Sequence, residues 1–305
     1  MTTVGVFFQE AGALAYPFSK QKYIRHISQL GSAIEELGAD FRVVRHQSSY
    51  LGAGKFDQSW QLINEQVIET GAITADVVFD KGLFVGDGKV PVLNCQEIND
   101  ICTNKYKTFE LFPKYSPQTF LVADVAELDA ALAAISGNYK VVKPLDGLEA
   151  RNVHIGDSKY LKEQEYIYPL LVQEFIDSQA GIPGIIDGVH DFRVAILNGE
   201  IVHSLVRTPG PGKLVASVSQ GGIMKVVENI DSLPQETWEL IEYVEQRMAI
   251  YGSRFYGIDM AFVNGEPKII ELNSRVSIWD DKQHKVFAIT KRKLAHFLVS
   301  LASEN

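Results

Sequence analysis

Apolar residues open the chain as a short uninterrupted run, Val4-Gly5-Val6-Phe7-Phe8, and then change period. Between Lys20 and Leu37, the residues Ile24, Ile27, Leu30, Ile34 and Leu37 recur at helical spacing, and Gly38 offers a helix stop, so a strand followed by a helix is predicted. Phe41 to Val44 reads as a second strand, Leu62 to Thr70 as a second helix and Val77 to Asp80 as a third strand. Strands that alternate with helices in this way predict a small parallel α/β domain over residues 1–95.

The pattern then loosens. Val92-Leu93-Asn94 gives another short strand, Asn99 to Phe112 reads as a helix carrying Lys105 and Lys107, and Pro113 stops it. A strand (Thr119 to Val122), a helix (Val125 to Ile135), a strand (Tyr139 to Lys143) and a glycine-containing charged loop (Asp146 to Asn152) follow, which predicts an α+β unit over residues 96–175. Beyond it, two Asn-Gly dipeptides sit between apolar runs: Phe192 to Leu197 and Glu200 to Val206 flank Asn198-Gly199, and Ile258 to Val263 and Glu266 to Leu272 flank Asn264-Gly265. Asn-Gly between such runs is the strongest short-range hairpin signal. With helices expected over Pro234 to Tyr251 and Lys291 to Ala302, residues 176–305 read as an antiparallel sheet with covering helices.

Composition narrows the function. A 305-residue chain of 46% hydrophobic and 22% charged residues is an ordinary globular protein, and a net charge of -9 argues against bulk attraction to nucleic acid. The basic run Lys291-Arg292-Lys293 reads as a solvated helix start. The N-terminus has no charged segment followed by a long apolar one, and no window has membrane-spanning length, so a soluble, cytoplasmic protein is expected. Cys95 and Cys102 are too few for a four-cysteine zinc site and are read as reduced and structural.

Chemistry concentrates on the second hairpin. Asp259 on one strand and Glu271 and Asn273 on the other are hard oxygen donors of the kind that suit magnesium. Glu271 and Asn273 share a face, because side chains alternate along a strand. A strict two-residue turn would set Asp259 opposite Ile270, facing away; a three-residue loop with Gly265 as a bulge brings Asp259 to their face, and that bulged turn is predicted. A pair of solvent-facing strand carboxylates is the competing reading. Lys143 ends an apolar strand ahead of Pro144-Leu145-Asp146-Gly147, where it could meet nucleotide phosphates or be an exposed strand-end lysine. Gln173-Glu174-Phe175-Ile176 could offer its backbone and Glu174 to an adenine, or form a plain edge strand. Asp191 and Arg193 alternate on the strand entering the first hairpin, where a two-residue turn would put Arg207 opposite His190. Arginines fixed on strands suit phosphate or carboxylate recognition, the alternative being surface ion pairs. His190 is a weak further candidate, and His154, His203 and Tyr16 have no assignment.

The ordered set Lys105, Lys143 with its Pro-Leu-Asp-Gly loop, Gln173-Glu174-Phe175-Ile176, Asp191-Phe192-Arg193, Arg207, Gly221-Gly222, Asp259 and Glu271-Leu272-Asn273-Ser274-Arg275 resembles the ATP-grasp superfamily, with glutathione synthetase and the ligases that append glutamate to ribosomal proteins or peptides as its nearest likeness. The resemblance implies the ATP-grasp fold: a Rossmann-like pre-ATP-grasp domain, then two α+β subdomains that clamp ATP. It implies ATP and Mg2+ (or Mn2+) as cofactors. Lys105, Lys143, Gly147 and Arg151 would meet phosphates; Gln173, Glu174, Phe175, Ile176 and Asp191 would complete the nucleotide site; Asp259, Glu271 and Asn273 would hold metal. Arg193, Arg207 and Arg275 would act at the transferred phosphate or the acid. It also implies amino-acid or peptide substrates, a homo-oligomer, and amide formation through an acyl phosphate. A small-molecule kinase and a non-catalytic nucleotide sensor are the alternatives, the second disfavoured by the intact metal triad. Leu214 to Gly222 and Val276-Ser277-Ile278-Trp279 depart from the relatives' pattern on the substrate side.

Overall fold

The computed structural model describes residues 1–147, 151–214, 216, 221–278 and 285–303. At the centre of the first sheet lies Thr3–Phe8, with Asp40–Arg45 parallel to it on one side and Val77–Asp80, then Val92–Leu93, on the other. Helix Gln21–Glu35 presses Ile24, Ile27, Leu30 and Ile34 into its core. Thr3–Phe8 and Val77–Asp80 are buried almost throughout, which explains why they are continuous apolar runs rather than alternating ones.

Two expectations fail here for local reasons. The segment predicted as a helix over Leu62 to Thr70 is a hairpin, Trp60–Ile63 and Gln66–Glu69, which extends the first sheet antiparallel. Its turn residues Asn64 and Glu65 have φ of 50° and 60°, both left-handed, which suits a two-residue hairpin turn, and β-branched Ile63, Val67 and Ile68 favour extended backbone. The helix expected over Asn99 to Phe112 is two helices, Gln96–Thr103 and Lys105–Leu111. Asn104 leaves helical geometry between them, and its Oδ1 accepts from the Tyr106 and Lys107 amides at 3.0 and 3.2 Å. The second helix therefore starts afresh at Lys105.

The second sheet is antiparallel in the order Thr119–Val122, Leu170–Glu174, Lys140–Pro144, His154–Gly156, with helices Val125–Ala134 and Ser158–Lys162 over it. The third runs Ile223–Val227, Glu200–Thr208, Asp191–Leu197, Phe255–Val263, Glu266–Asn273, antiparallel throughout as the two hairpin signals require. Helix Gln235–Met248 packs into one of its cores. Helix Lys285–Ser303 begins earlier than the periodicity suggests and buries Leu294, Ala295 and Leu298 in a core shared with Val4, Val6, Phe79, Ala195 and Val202. Lys291 is buried within it and donates to Gln29 Oε1 at 2.8 Å while Arg292 is exposed, so the basic run lies inside the helix rather than at its start and is solvated only in part. Cys95 and Cys102 are free thiols, and burial pushes both pKa values up, which keeps them inert.

We propose residues 1–95, 96–175 and 176–305 as the folding units, although one core spans the first and third. Asn94 ties that junction. Its Nδ2 donates to the Phe255 and Ser274 carbonyls at 2.8 and 2.9 Å, its Oδ1 accepts from the Phe255 amide at 2.7 Å, and its carbonyl accepts from Asn99. Its φ of 69° is one that asparagine tolerates better than most residues. Replacing Asn94 with alanine strands buried partners on both strands. Asn94→Ala is expected to lower the unfolding free energy by about 3 kcal/mol, read by thermal or urea unfolding; a loss below about 1 kcal/mol would contradict this reading of the joint.

Candidate active site

The second hairpin of the third sheet closes with a tight turn: Val263 pairs with Glu266, and Asn264 and Gly265 have φ of 52° and 88°. The predicted Gly265 bulge is therefore wrong in place, though the expected pairing appears. Met260 pairs with Ile269 and Asp259 with Glu271, so the extra residue is Ile270, inside the strand. Asp259, Glu271 and Asn273 share one face in consequence. The Ile270 carbonyl accepts from Lys143 Nζ at 3.3 Å.

A second bulge tunes the neighbouring hairpin. Asn198 and Gly199 turn with φ of 47° and 95°, and pairing slips by one residue beyond Ile196, so Arg207 lies opposite Asp191 and not opposite His190 as a regular ladder would have it. Arg193 lies opposite Asp259 on the adjoining strand. The two bulges together assemble Asp191, Arg193, Arg207, Asp259, Glu271 and Asn273 on one patch of sheet.

Asp259, 2% exposed, is its centre. Arg193 holds it through Nε to Oδ1 and Nη2 to Oδ2. Arg207 Nη2 donates to Asp259 Oδ2 at 2.7 Å and to Asp191 Oδ2 at 2.5 Å, and Asn273 Nδ2 reaches Asp259 Oδ2 and Glu271 Oε1, each at 3.2 Å. Burial disfavours the charge on Asp259, but the two guanidinium groups outweigh it and hold its carboxyl below the usual range. Asp191 moves the other way, pushed up first by burial and then by the charge of Asp259. On the facing wall, burial lowers the Lys143 ammonium to about 8 against the pull of Glu271. Lys105 Nζ donates to the Gly147 carbonyl at 3.1 Å and lies 3.8 Å from Glu271 Oε2.

These side chains line one cavity of about 660 Å³, which also takes in Gly147, Arg151, Gln173, Glu174, Phe175, Ile176 and Arg275; Gly221 and Gly222 of the ordered set are not among its lining residues. Gln173 spends its side-chain amide on Thr119 Oγ1 at 2.7 Å, and its strand is paired on both sides, which rules out the plain edge strand. His190 lines the cavity but is held on both sides: Nε2 accepts from the Phe262 amide at 3.1 Å, which places the proton on Nδ1, 3.0 Å from the Gly188 carbonyl. His203 is buried against Phe287, and His154 meets Tyr166 edge-on, both away from the cavity lining. Leu148 to Ala150, most of Val215 to Gln220, and Trp279 lie outside the described residues.

The sequence reading missed the opposite wall, where Gln9, Glu10, Lys22, Tyr23, His26 and Lys81 join Tyr16. Gln9 and Lys81 directly follow the carboxyl ends of parallel strands, where α/β sheets bind ligands; that rule was a usable signal.

Asp259, Glu271 and Asn273 form a donor set that fits magnesium: two carboxylates and an amide whose oxygen and nitrogen can exchange places by a flip. Both Asp259 oxygens are engaged by arginines, so a cation there requires Arg193 and Arg207 to transfer to another anion, which a triphosphate supplies.

The described helices include none long and apolar enough to cross a membrane. Over 151 residues the chain is 26% identical to a probable alpha-L-glutamate ligase of Shewanella halifaxensis, a match that spans 46% of this chain and 29% of that protein. In fold it is similar to a RimK domain ATP-grasp protein from Sphaerobacter thermophilus (TM-score 0.61, 13% identity, 98% of this chain and 100% of that one). It is equally similar to an ATP complex of D-alanine–D-alanine ligase from Bacillus anthracis (TM-score 0.62, 12% identity, 100% and 98%). Residues 104–276, more than half of the chain, match the model of the prokaryotic glutathione synthetase ATP-grasp domain, and with the whole site bar its far wall inside that stretch, the chain belongs to this ATP-grasp family.

Proposed function

We propose that this chain is an ATP-dependent ligase that joins a carboxylate to an amine through an acyl phosphate, with amino acids or peptides as substrates. The observation that carries the reading is the buried Asp259 between Arg193 and Arg207, facing Lys105 and Lys143 across one cavity. Curated relatives named as glutamate ligases add support for amino-acid chemistry.

The reaction needs no protein nucleophile. A carboxylate oxygen of the acid attacks the γ-phosphorus of ATP and ADP leaves; the amine nitrogen then attacks the acyl carbon, loses a proton, and phosphate departs with that oxygen. Lys105 and Lys143 neutralise phosphate charge, with Gly147 and Arg151 beside them, and Gln173 to Ile176 with Asp191 form the rest of the nucleotide site. Lys143, partly desolvated and fixed to the Ile270 carbonyl, is pre-positioned for this. Arg193 and Arg207 steady the transferred phosphoryl group and the acyl phosphate, Arg275 meets the acid substrate, and Asp259, Glu271 and Asn273 would hold the metal. Bound magnesium would supply charge neutralisation between the phosphates. The cavity walls exclude water from the acyl phosphate, which would otherwise hydrolyse. A homo-oligomer in the cytoplasm is proposed on the family likeness, and light scattering with cell fractionation checks it.

Hydroxylamine can replace an unknown amine, so the protein with ATP, magnesium and a panel of amino acids and short peptides is expected to form a hydroxamate from one acid class. Glu271→Ala should reduce that rate about 100-fold or more; equal rates in mutant and parent would remove the metal role of Glu271, and ATP hydrolysis without hydroxamate would remove the ligase. Lys143→Met should raise the KM for ATP about tenfold or more, with the KM for the acid little changed; the reverse split would assign Lys143 to the acid instead.

A further inference from the structure

Lys81 stands on the wall of the cavity that follows the first sheet. Lys81 is half-buried, and its Nζ donates to the Val276 carbonyl at 3.0 Å and lies over the Phe79 ring. Among the described residues no carboxylate pairs with it within ion-pair distance. Asp80 next to it is turned inward: its oxygens accept from the Gly82 and Phe84 amides at 2.6 and 2.7 Å and from Asn99 Nδ2 at 2.7 Å. Arg275 lines the same cavity, likewise without an ion pair among the described residues; burial and then its charge lower the Lys81 ammonium to about 7, against the opposing pull of Asp80. Exposed Glu10 at the rim is the acidic lining residue of this wall among the described residues, set against Lys22, Lys81 and Arg275.

Lys81 is also fixed in place. Its amide donates to the Phe7 carbonyl at 3.0 Å, Asp80 is paired with Phe7 in the sheet, and the next residue must be glycine, since a Cβ at Gly82 would lie 2.3 Å from the Gln9 nitrogen. With its main chain fixed, its ammonium held at the Val276 carbonyl and the adjacent Asp80 committed to other donors, Lys81 is pre-organised to meet an anion. It lines the same cavity as Asn273 and Arg275.

We propose that Lys81, with Arg275, binds a carboxylate that the acid substrate carries in addition to the one ATP activates, and so selects acids with two carboxylates. This rests on the ligase reading for the identity of the reacting group, but the binding itself does not. An acid with a single carboxylate would leave partly buried Lys81 and Arg275 with only the inward-turned Asp80 as opposite charge, which costs binding; a diacid supplies a second carboxylate.

Ligand-induced thermal shifts test this in the presence of ADP and magnesium. The probes are malonate, succinate, glutarate, L-aspartate and L-glutamate, compared at matched ionic strength with acetate, propionate, butyrate, L-asparagine and L-glutamine. At least one diacid should stabilise the parent protein where its monoacid or amide counterpart does not. Lys81→Met should weaken that diacid about tenfold or more, Lys81→Arg should keep most of the effect, and the shift given by ATP should be the same in all three. No discrimination in the parent, or full diacid binding by Lys81→Met, overturns the proposal. If Lys81→Met also loses the ATP shift, Lys81→Gln and Lys81→Arg decide: binding by the arginine alone supports the proposal and any other pattern overturns it. Failure of the ligase reading shows separately, as absence of the ATP shift or of hydroxamate.

Discussion

Asp259 is a carboxylate almost without access to solvent, gripped by Arg193 on both oxygens and by Arg207 on one, and the rest of the site is arranged around that contact. Burying such a charge is tolerable only while its partners stay in place, and its partners are themselves the groups a triphosphate would attract. The lattice is therefore poised for exchange: guanidinium groups released toward phosphate, and a carboxylate released toward a cation. Asp191 shares Arg207, and burial with the charge of Asp259 pushes its carboxyl above the usual range.

Two irregularities in an otherwise regular sheet make that contact possible. Without the extra residue at Ile270, Asp259 would be on the opposite face from Glu271; without the slip beyond Ile196, Arg207 would face His190. The first also frees a carbonyl for Lys143, so a single inserted residue aligns Asp259 with Glu271 and Asn273 and anchors a lysine from another sheet. Asn94 and helix Lys285–Ser303 then bind the first sheet to the third, and that brings Lys81 to the cavity lined by Lys105 and Lys143.

Much of this was legible in the sequence. The Asn-Gly pairs marked both hairpins, the apolar runs marked the parallel strands, and the ordered acids, lysines and arginines marked the cavity's residues. What misled were features decided by single residues or by packing. Asn64 and Glu65 turned an apparent helix into a hairpin; Asn104 cut a helix in two by capping the next one; and the bulge sat at Ile270, away from the glycine that invites one, because Asn-Gly already makes a good tight turn. Lys81 was overlooked because its neighbourhood is made by contact between distant sheets, which periodicity does not encode, although its place at a strand's carboxyl end was a clue.

Oxygen transfer tests the central claim most directly. With the acid substrate labelled by 18O in its reacting carboxylate, an acyl phosphate requires one labelled oxygen in the phosphate released at each turnover. That is the result expected of this chain, and phosphate free of label, with amide formed, would contradict the account.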